Sequence, residues 1–251
     1  MRLPNQTRIF CLPLLFYSLL LTQRIHAQPS RKDSLLIDSA YAGALRGYHA
    51  YLTPEAGLYR GAQYVKYTDK LREGHPYFDD NRTHKGTVTY NGILYEDVPV
   101  IYDLVHELLI INDPSNTHLI SLINPQVDRF TIEHHLFIRL SDSLNPSSPG
   151  NGFYEQLYNG RIRLLKKEKK AIHKEESIGE GILLTINRTV LYYLKIGETY
   201  YEIGTRKSLL HALKDRNKEV KKFIRENNLN VQKDTENALL KVVTWYDSIQ
   251  H

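Results

Sequence analysis

Sulfur is nearly absent from this chain: its one methionine is Met1 and its one cysteine is Cys11, both close to the N-terminus. Beyond them there is no residue able to form a disulfide, act as a thiolate nucleophile or offer a soft sulfur ligand. Several catalytic signatures are missing too. There is no Gly-x-Ser-x-Gly elbow, no phosphate-cradling glycine loop, no dinucleotide fingerprint and no His-Glu-x-x-His pair. These absences remove the commonest hydrolase, nucleotide-binding and metalloprotease classes.

What is present begins with a leader. Arg2 and Arg8 precede an almost wholly apolar run from Ile9 to Thr22, and Ile25-His26-Ala27 puts a small residue before the expected cut. The run is short for a membrane span. An uncleaved anchor is the competing reading, but Arg24 and the polar residues after it favour cleavage after Ala27. Cys11 sits between Phe10 and Leu12, without the small residues that precede a lipidated cysteine, so no lipoprotein anchor is expected.

A chain this long without disulfides fits a bacterial periplasmic or extracellular protein better than a eukaryotic secreted one. In that setting the glycosylation-like triplets at Asn81 and Asn187 are chance matches. Loss of Arg2, Arg8 and Arg24 with the leader lowers the net charge from +5 to +2. Charge therefore gives no reason to expect a global polyanion binder, and no nucleic-acid partner is expected. No cofactor is implied.

The pattern predicts an α+β fold: an antiparallel, hairpin-rich curved sheet with an N-terminal helix and two C-terminal amphipathic helices. Residues 1–27 form the leader, 28–57 an N-terminal helical segment, 58–204 a β-rich core and 205–251 helices packed on the same domain. Leu36, Ile37, Ala40, Ala44, Leu45 and Tyr48 recur at helical spacing. Residues 58–85 read as a long irregular loop, broken by Gly61, Gly74 and Pro76.

Short Val, Ile, Tyr and Phe runs follow, with three hairpin signals. Asn91-Gly92 pairs Val88 with Tyr95 and Tyr90 with Ile93; Asn159-Gly160 sets Leu157 against Ile162 and Tyr158 against Arg161. Gly197-Glu198 sets Leu194 against Tyr201 and Tyr192 against Ile203. Further strands are expected at 98–102, 107–111, 119–123 and 129–140. Thr205 then caps one helix carrying Leu209, Leu213, Val220 and Ile224, and Asp234 caps another carrying Leu239, Val242 and Tyr246. The lone Trp245 reads as packing. A membrane-embedded barrel is disfavoured by these helices and by the lysine-rich interruptions.

The long loop supplies the best candidate ligand site: Tyr59, Arg60, Tyr64, His75 and Tyr77 concentrate rings, an arginine and a histidine. Its structural alternative is a loop stapled over the sheet by buried tyrosines. A second candidate is an anionic-partner surface formed by Arg161, Arg163, Lys166, Lys167, Lys169 and Lys170. Lysines on a solvated hairpin edge, discouraging unwanted strand pairing, would explain the same run. No metal set is recognised, since His134 and His135 on one strand would point to opposite faces. No catalytic residue is assigned.

Leu58–Gly61, Gly74–Phe78, Gly86–Tyr95 and Val98–Asp103, with Lys207–Leu210 and Trp245–Ser248, are together similar to an uncharacterised family of secreted bacterial proteins. The resemblance covers most of the mature chain. It implies export and a β-rich fold with helical ends, and no activity. The leading expectation is a non-enzymatic envelope protein binding a partner protein or an envelope lipid. The alternative is a hydrolase of an envelope glycan or peptide using His75 or carboxylates brought together by folding; an assembly factor with an exposed apolar patch or an unpaired strand edge is the third.

Overall fold

The computed structural model describes residues 57–67, 71–141, 144–177 and 181–249. The expected leader and first helix lie outside them. Among the described residues, twelve strands form one sheet: β1 (Ala62–Gln63), β2 (Leu71–Glu73), β3 (His84–Tyr90), β4 (Ile93–Asp103), β5 (Leu108–Asn112), β6 (Leu119–Ser121), β7 (Val127–Ile132), β8 (His135–Leu140), β9 (Gly152–Asn159), β10 (Ile162–Ser177), β11 (Gly181–Ile196) and β12 (Thr199–Ile203). The order is β1-β6-β5-β4-β3-β7-β8-β9-β10-β11-β12, antiparallel throughout and open at its ends. β2 stands off this path and pairs in parallel with β11. Helices α1 (Arg206–Ala212), α2 (Asn217–Glu226) and α3 (Thr235–Ser248) follow.

Two of the three expected hairpins have the predicted register. Val88 faces Tyr95 and Tyr90 faces Ile93, with Asn91 and Gly92 both at positive φ, as a primed two-residue turn requires. Leu194 faces Tyr201 and Tyr192 faces Ile203. The third is corrected: Tyr158 pairs with Leu164, not Arg161, and Asn159 with Arg163. The cause lies in α3, where Asp247 accepts from the Tyr158 hydroxyl at 2.9 Å and from the Arg161 amide at 3.3 Å. This lengthens the turn and leaves Ile162 and Leu164 both buried under the helices.

The stretch expected as one strand at 129–140 is a hairpin instead. Glu133 takes a positive φ of 52° and ends β7, so His134 and His135 sit at the turn with ring centroids 4.0 Å apart rather than on opposite faces of one strand.

Strand alternation sorts the apolar residues. Val98, Val100 and Tyr102 of β4 face an interior shared with Val88, Leu109, Phe130, Phe137 and Phe153. In a flat sheet β4 and β9, four strand spacings apart, would be separated by about 19 Å. Yet the Tyr102 and Phe153 rings are 6.0 Å apart, so this part of the sheet curls around its core. The backbone amide of Lys170 in β10 donates to the carbonyl of Leu104, in the β4–β5 turn, at 3.1 Å, which brings the curled sheet back onto its own hairpin.

The sequence pattern predicts two C-terminal helices, and the structure has three. Leu213 leaves helical geometry with ψ 40°, and Lys214–Arg216 forms a 3-10 turn before α2. Asn217 Nδ2 donates to the Leu210 carbonyl at 3.0 Å, satisfying an acceptor released at the break. Across the break Leu209, Leu213 and Val220 still share one core with Leu239, Val242 and Val243 of α3. Thr205 caps α1 with Ser208 as a capping box, whereas Asp234 accepts instead from Asn237 Nδ2 at 2.6 Å. Trp245 stacks on Phe223, 4.3 Å between centroids. No helix among the described residues is long and apolar enough to cross a membrane.

Candidate functional site

β10 continues well past β9, whose pairing stops at Lys166. Its side chains alternate, so the basic run splits between two faces rather than forming one surface. Lys166 is 7 % exposed and lies between Glu155 at 3.0 Å and Glu236 of α3 at 2.9 Å. Burial opposes its charge, but the two carboxylates outweigh that and raise its pKa. Glu155 also meets His135 Nδ1 at 2.5 Å, and Tyr192 donates to Glu236 at 3.2 Å.

Further along the same face, Arg188 makes a forked pair with Glu168 at 2.6 and 2.8 Å. Burial favours the neutral acid, but this fork overrides it and lowers the Glu168 pKa. Next comes Lys170, whose Nζ donates to the His75 carbonyl at 3.0 Å and the Tyr77 carbonyl at 2.6 Å. Burial lowers its pKa; Glu168 works against that, and Arg188 adds to it.

On the opposite face Lys167 is 2 % exposed, held by Glu107 at 2.8 Å and the Phe153 carbonyl at 3.1 Å, over the Tyr154 ring. Burial lowers its pKa despite Glu107. Lys169 reaches the same Glu107 at 3.3 Å. Arg161 is drawn to Asp247, and Arg163 is exposed. Lys166 and Lys167 are therefore structural ions, and the expectation of a solvated lysine edge fails for them: each carries a partner into the interior.

The aromatic loop divides as well. Tyr59 packs against the curled core, and Arg60 is exposed. Tyr64 and Tyr67 cover the outer face of β4 and donate to the fully buried Asp103, each at 2.9 Å. Asp103 also accepts the Val105 and His106 amides and meets His106 Nδ1 at 3.0 Å. It is thus the anchor of the β4–β5 turn. Burial, with Asp103 nearby, drives both tyrosine pKa values far upward, so these hydroxyls stay protonated donors. Tyr77 packs in this cluster and stacks on His75, 6.5 Å away.

Of the five, His75 lines a cavity formed by described residues. Gly74, His75, Lys170, Thr185, Ile186, Asn187 and Arg188 line an open pocket of about 480 Å³. His75 Nδ1 is buried and has no hydrogen-bond partner among the described residues. Burial, reinforced by Lys170, lowers its pKa against the opposing pull of Asp79 and Asp80. Among the described residues no carboxylate hydrogen bonds to His75; the carboxylate-bonded histidines are His84, His106 and His135.

Beside this pocket the outer edge of β11 changes partner. β2 pairs with Leu184 and Thr185, and β12 with Tyr192 to Ile196. Between them, Ile186 to Leu191 pair with β10 on one side and with no strand on the other among the described residues.

One group of three potential metal ligands, Asp79, Asp80 and His84, escaped the sequence reading. Asp80 is engaged by Arg82, and both His84 nitrogens are taken, by Asp80 at 2.9 Å and Glu133 at 3.0 Å. That is an ion-pair network. Sequence reading also passed over Glu155, Arg188 and Glu236. The usable signal was the Lys166-x-Glu168-x-Lys170 alternation, which puts charges of both signs on one strand face. Comparison of the chain with protein-family models, curated proteins and solved structures gives no match.

Proposed function

We propose that this is an exported, non-enzymatic envelope protein that binds a partner protein, and that an extended segment of that partner adds to the β11 edge at Ile186–Leu191. The observation carrying this reading is the interval in strand pairing between β2 and β12, where backbone donors and acceptors await a strand. Arg188 and Lys170 beside it give the interval a positive flank, complementary to an acidic side chain of the incoming segment. Glu168 offsets one of these charges, and Asp79 lies near enough to act on Lys170.

An envelope lipid held within the curled sheet is the less favoured version. Tyr102, Phe130, Phe137 and Phe153 fill that interior with mutually packed rings. The hydrolase alternative is the less supported one: among the described residues Lys170 and Arg188 line the His75 pocket and no carboxylate does, although Asp79 and Asp80 lie near enough to act on the ring.

Native mass spectrometry of residues 28–251, isolated gently from an exporting bacterium, would show whether a protein accompanies the chain. Hydrogen exchange of the complex should then slow at the amides of 186–191. A chain that carries no partner, or protection confined to other strands, would overturn the proposal.

A further inference from the structure

The helical end of the molecule is more basic than the rest. Residues 205–251 contain ten Lys and Arg against six Asp and Glu, a net +4, compared with +2 for the whole of residues 28–251. Each of the six acids is occupied. Asp215 accepts from Tyr246, Glu219 pairs with Arg216 and Glu226 lies near Lys222. Asp234 accepts from Asn237, Glu236 pairs with Lys166 and Asp247 with Arg161.

Of the ten cations only Arg216 and Lys222 are paired with these acids among the described residues, and four of the remaining eight converge on one place. Arg206, Lys207, Lys214 and Lys221 line an open pocket of about 680 Å³ between α1 and α2, with His211 and Gln232 at its wall and Leu210 in its floor. None of the four has an ion-pair or hydrogen-bond partner among the described residues, and no carboxylate lines the pocket. Four like charges around one concavity repel one another, and folding supplies nothing to offset them. The Thr205–Ser208 capping box takes the amides of Thr205 and Ser208, and the case for a ligand here rests on the side chains rather than on a helix end.

We propose that this pocket binds a phosphate-bearing ligand. Phosphate matches the donors by chemistry: the Arg206 guanidinium offers a planar fork for two oxygens, and the lysines act as point charges around a dianion or a chain of phosphates. A single carboxylate would leave most of the positive charge uncompensated. The apolar floor at Leu210 and the aliphatic lysine stems tolerate an organic group attached to the phosphate. The site shares no lining residue with the pocket beside the β11 edge and does not depend on the partner-binding proposal.

The test uses residues 28–251 with two probes, inorganic pyrophosphate by calorimetry and phosphatidylcholine vesicles with or without phosphatidylglycerol by co-sedimentation. The pocket variant is Lys214→Ser/Lys221→Ser; the control is Lys218→Ser/Lys241→Ser, which removes the same charge from exposed positions outside the pocket. All four lysines are exposed, and circular dichroism checks that both variants fold. Pyrophosphate binding weakened at least about tenfold in the pocket variant but not in the control supports a site for soluble phosphates. Binding confined to phosphatidylglycerol vesicles, with the same variant pattern, supports a lipid phosphate. No binding to either probe, or equal losses in both variants, overturns the proposal.

Discussion

Lys170 and Leu104, 66 residues apart in sequence, are joined by a backbone hydrogen bond of 3.1 Å that ties the β4–β5 turn to the protruding part of β10. The Lys170 ammonium reinforces the joint by donating to the carbonyls of His75 and Tyr77. Through this one residue the aromatic loop, the curled sheet and the long hairpin share a common anchor.

Lys170→Met should therefore destabilise the fold by about 1–3 kcal/mol, because it leaves two carbonyls without their charged donor while preserving most of the stem. Urea denaturation measures it. A change within error would mean that water replaces the ammonium at no cost.

Lys166 and Glu155 form a buried pair with a second acid, Glu236, still in reach. Glu155→Leu alone should cost about 2–3 kcal/mol, since it strips one counter-charge from a buried ammonium. The double variant Glu155→Leu/Lys166→Met should recover much of that loss, and a thermodynamic cycle between the variants would expose the coupling.

His84 is held between Asp80 and Glu133. Burial opposes its protonation, yet the two carboxylates outweigh burial and raise its pKa above the ordinary 6.5. A folded pKa above the unfolded one means that protonation stabilises the native state. The contribution is fully present below pH 6.5 and is lost as pH rises through the raised folded value. The stability advantage of the wild type over His84→Gln should shrink between pH 6 and pH 9, and the His84 ring signal in an NMR titration should move above pH 6.5. A gap that widens with pH would reverse the sign of this argument.

Gly86 has no room for a side chain. A Cβ there would lie 2.0 Å from the Thr131 carbonyl oxygen and 3.0 Å from a Val100 methyl group. Gly86→Ala must push β7 away from β3 or shift the interior, and should cost at least about 2 kcal/mol, readable as a fall in melting temperature.

Trp245 is the only tryptophan, and its stacking on Phe223 makes fluorescence a reporter of the α2–α3 contact. Phe223→Ala should shift its emission to longer wavelength and lower stability by about 1 kcal/mol. Unchanged emission would place the indole environment elsewhere.

The elements themselves were readable because their signals are local. Asn91-Gly92 and Gly197-Glu198 set hairpin registers through turn geometry and alternation alone, and Thr205 marked a helix start through its capping chemistry. Asn159-Gly160 carried an equally good turn signal, and its register was nevertheless decided by Asp247, almost ninety residues away. The break at Leu213 was not legible, because Leu209, Leu213, Val220 and Ile224 keep one helical stripe in the sequence and therefore read as a single helix.

Site prediction divided along the same line. His75 could be singled out from its aromatic surroundings and does line a pocket, but nothing in the linear order tells which of Tyr59, Tyr64 and Tyr77 would be spent on packing. The lysine run announced its charge in sequence; strand alternation and the distant acids Glu107, Glu155 and Glu236 then distributed Lys166 and Lys167 to opposite faces as buried ions. Turn type, alternation and capping act over a few residues, so the sequence by itself determined them. Which cations remain unpaired depends on summed electrostatics and burial across segments far apart in the chain, and only the tertiary structure decided that.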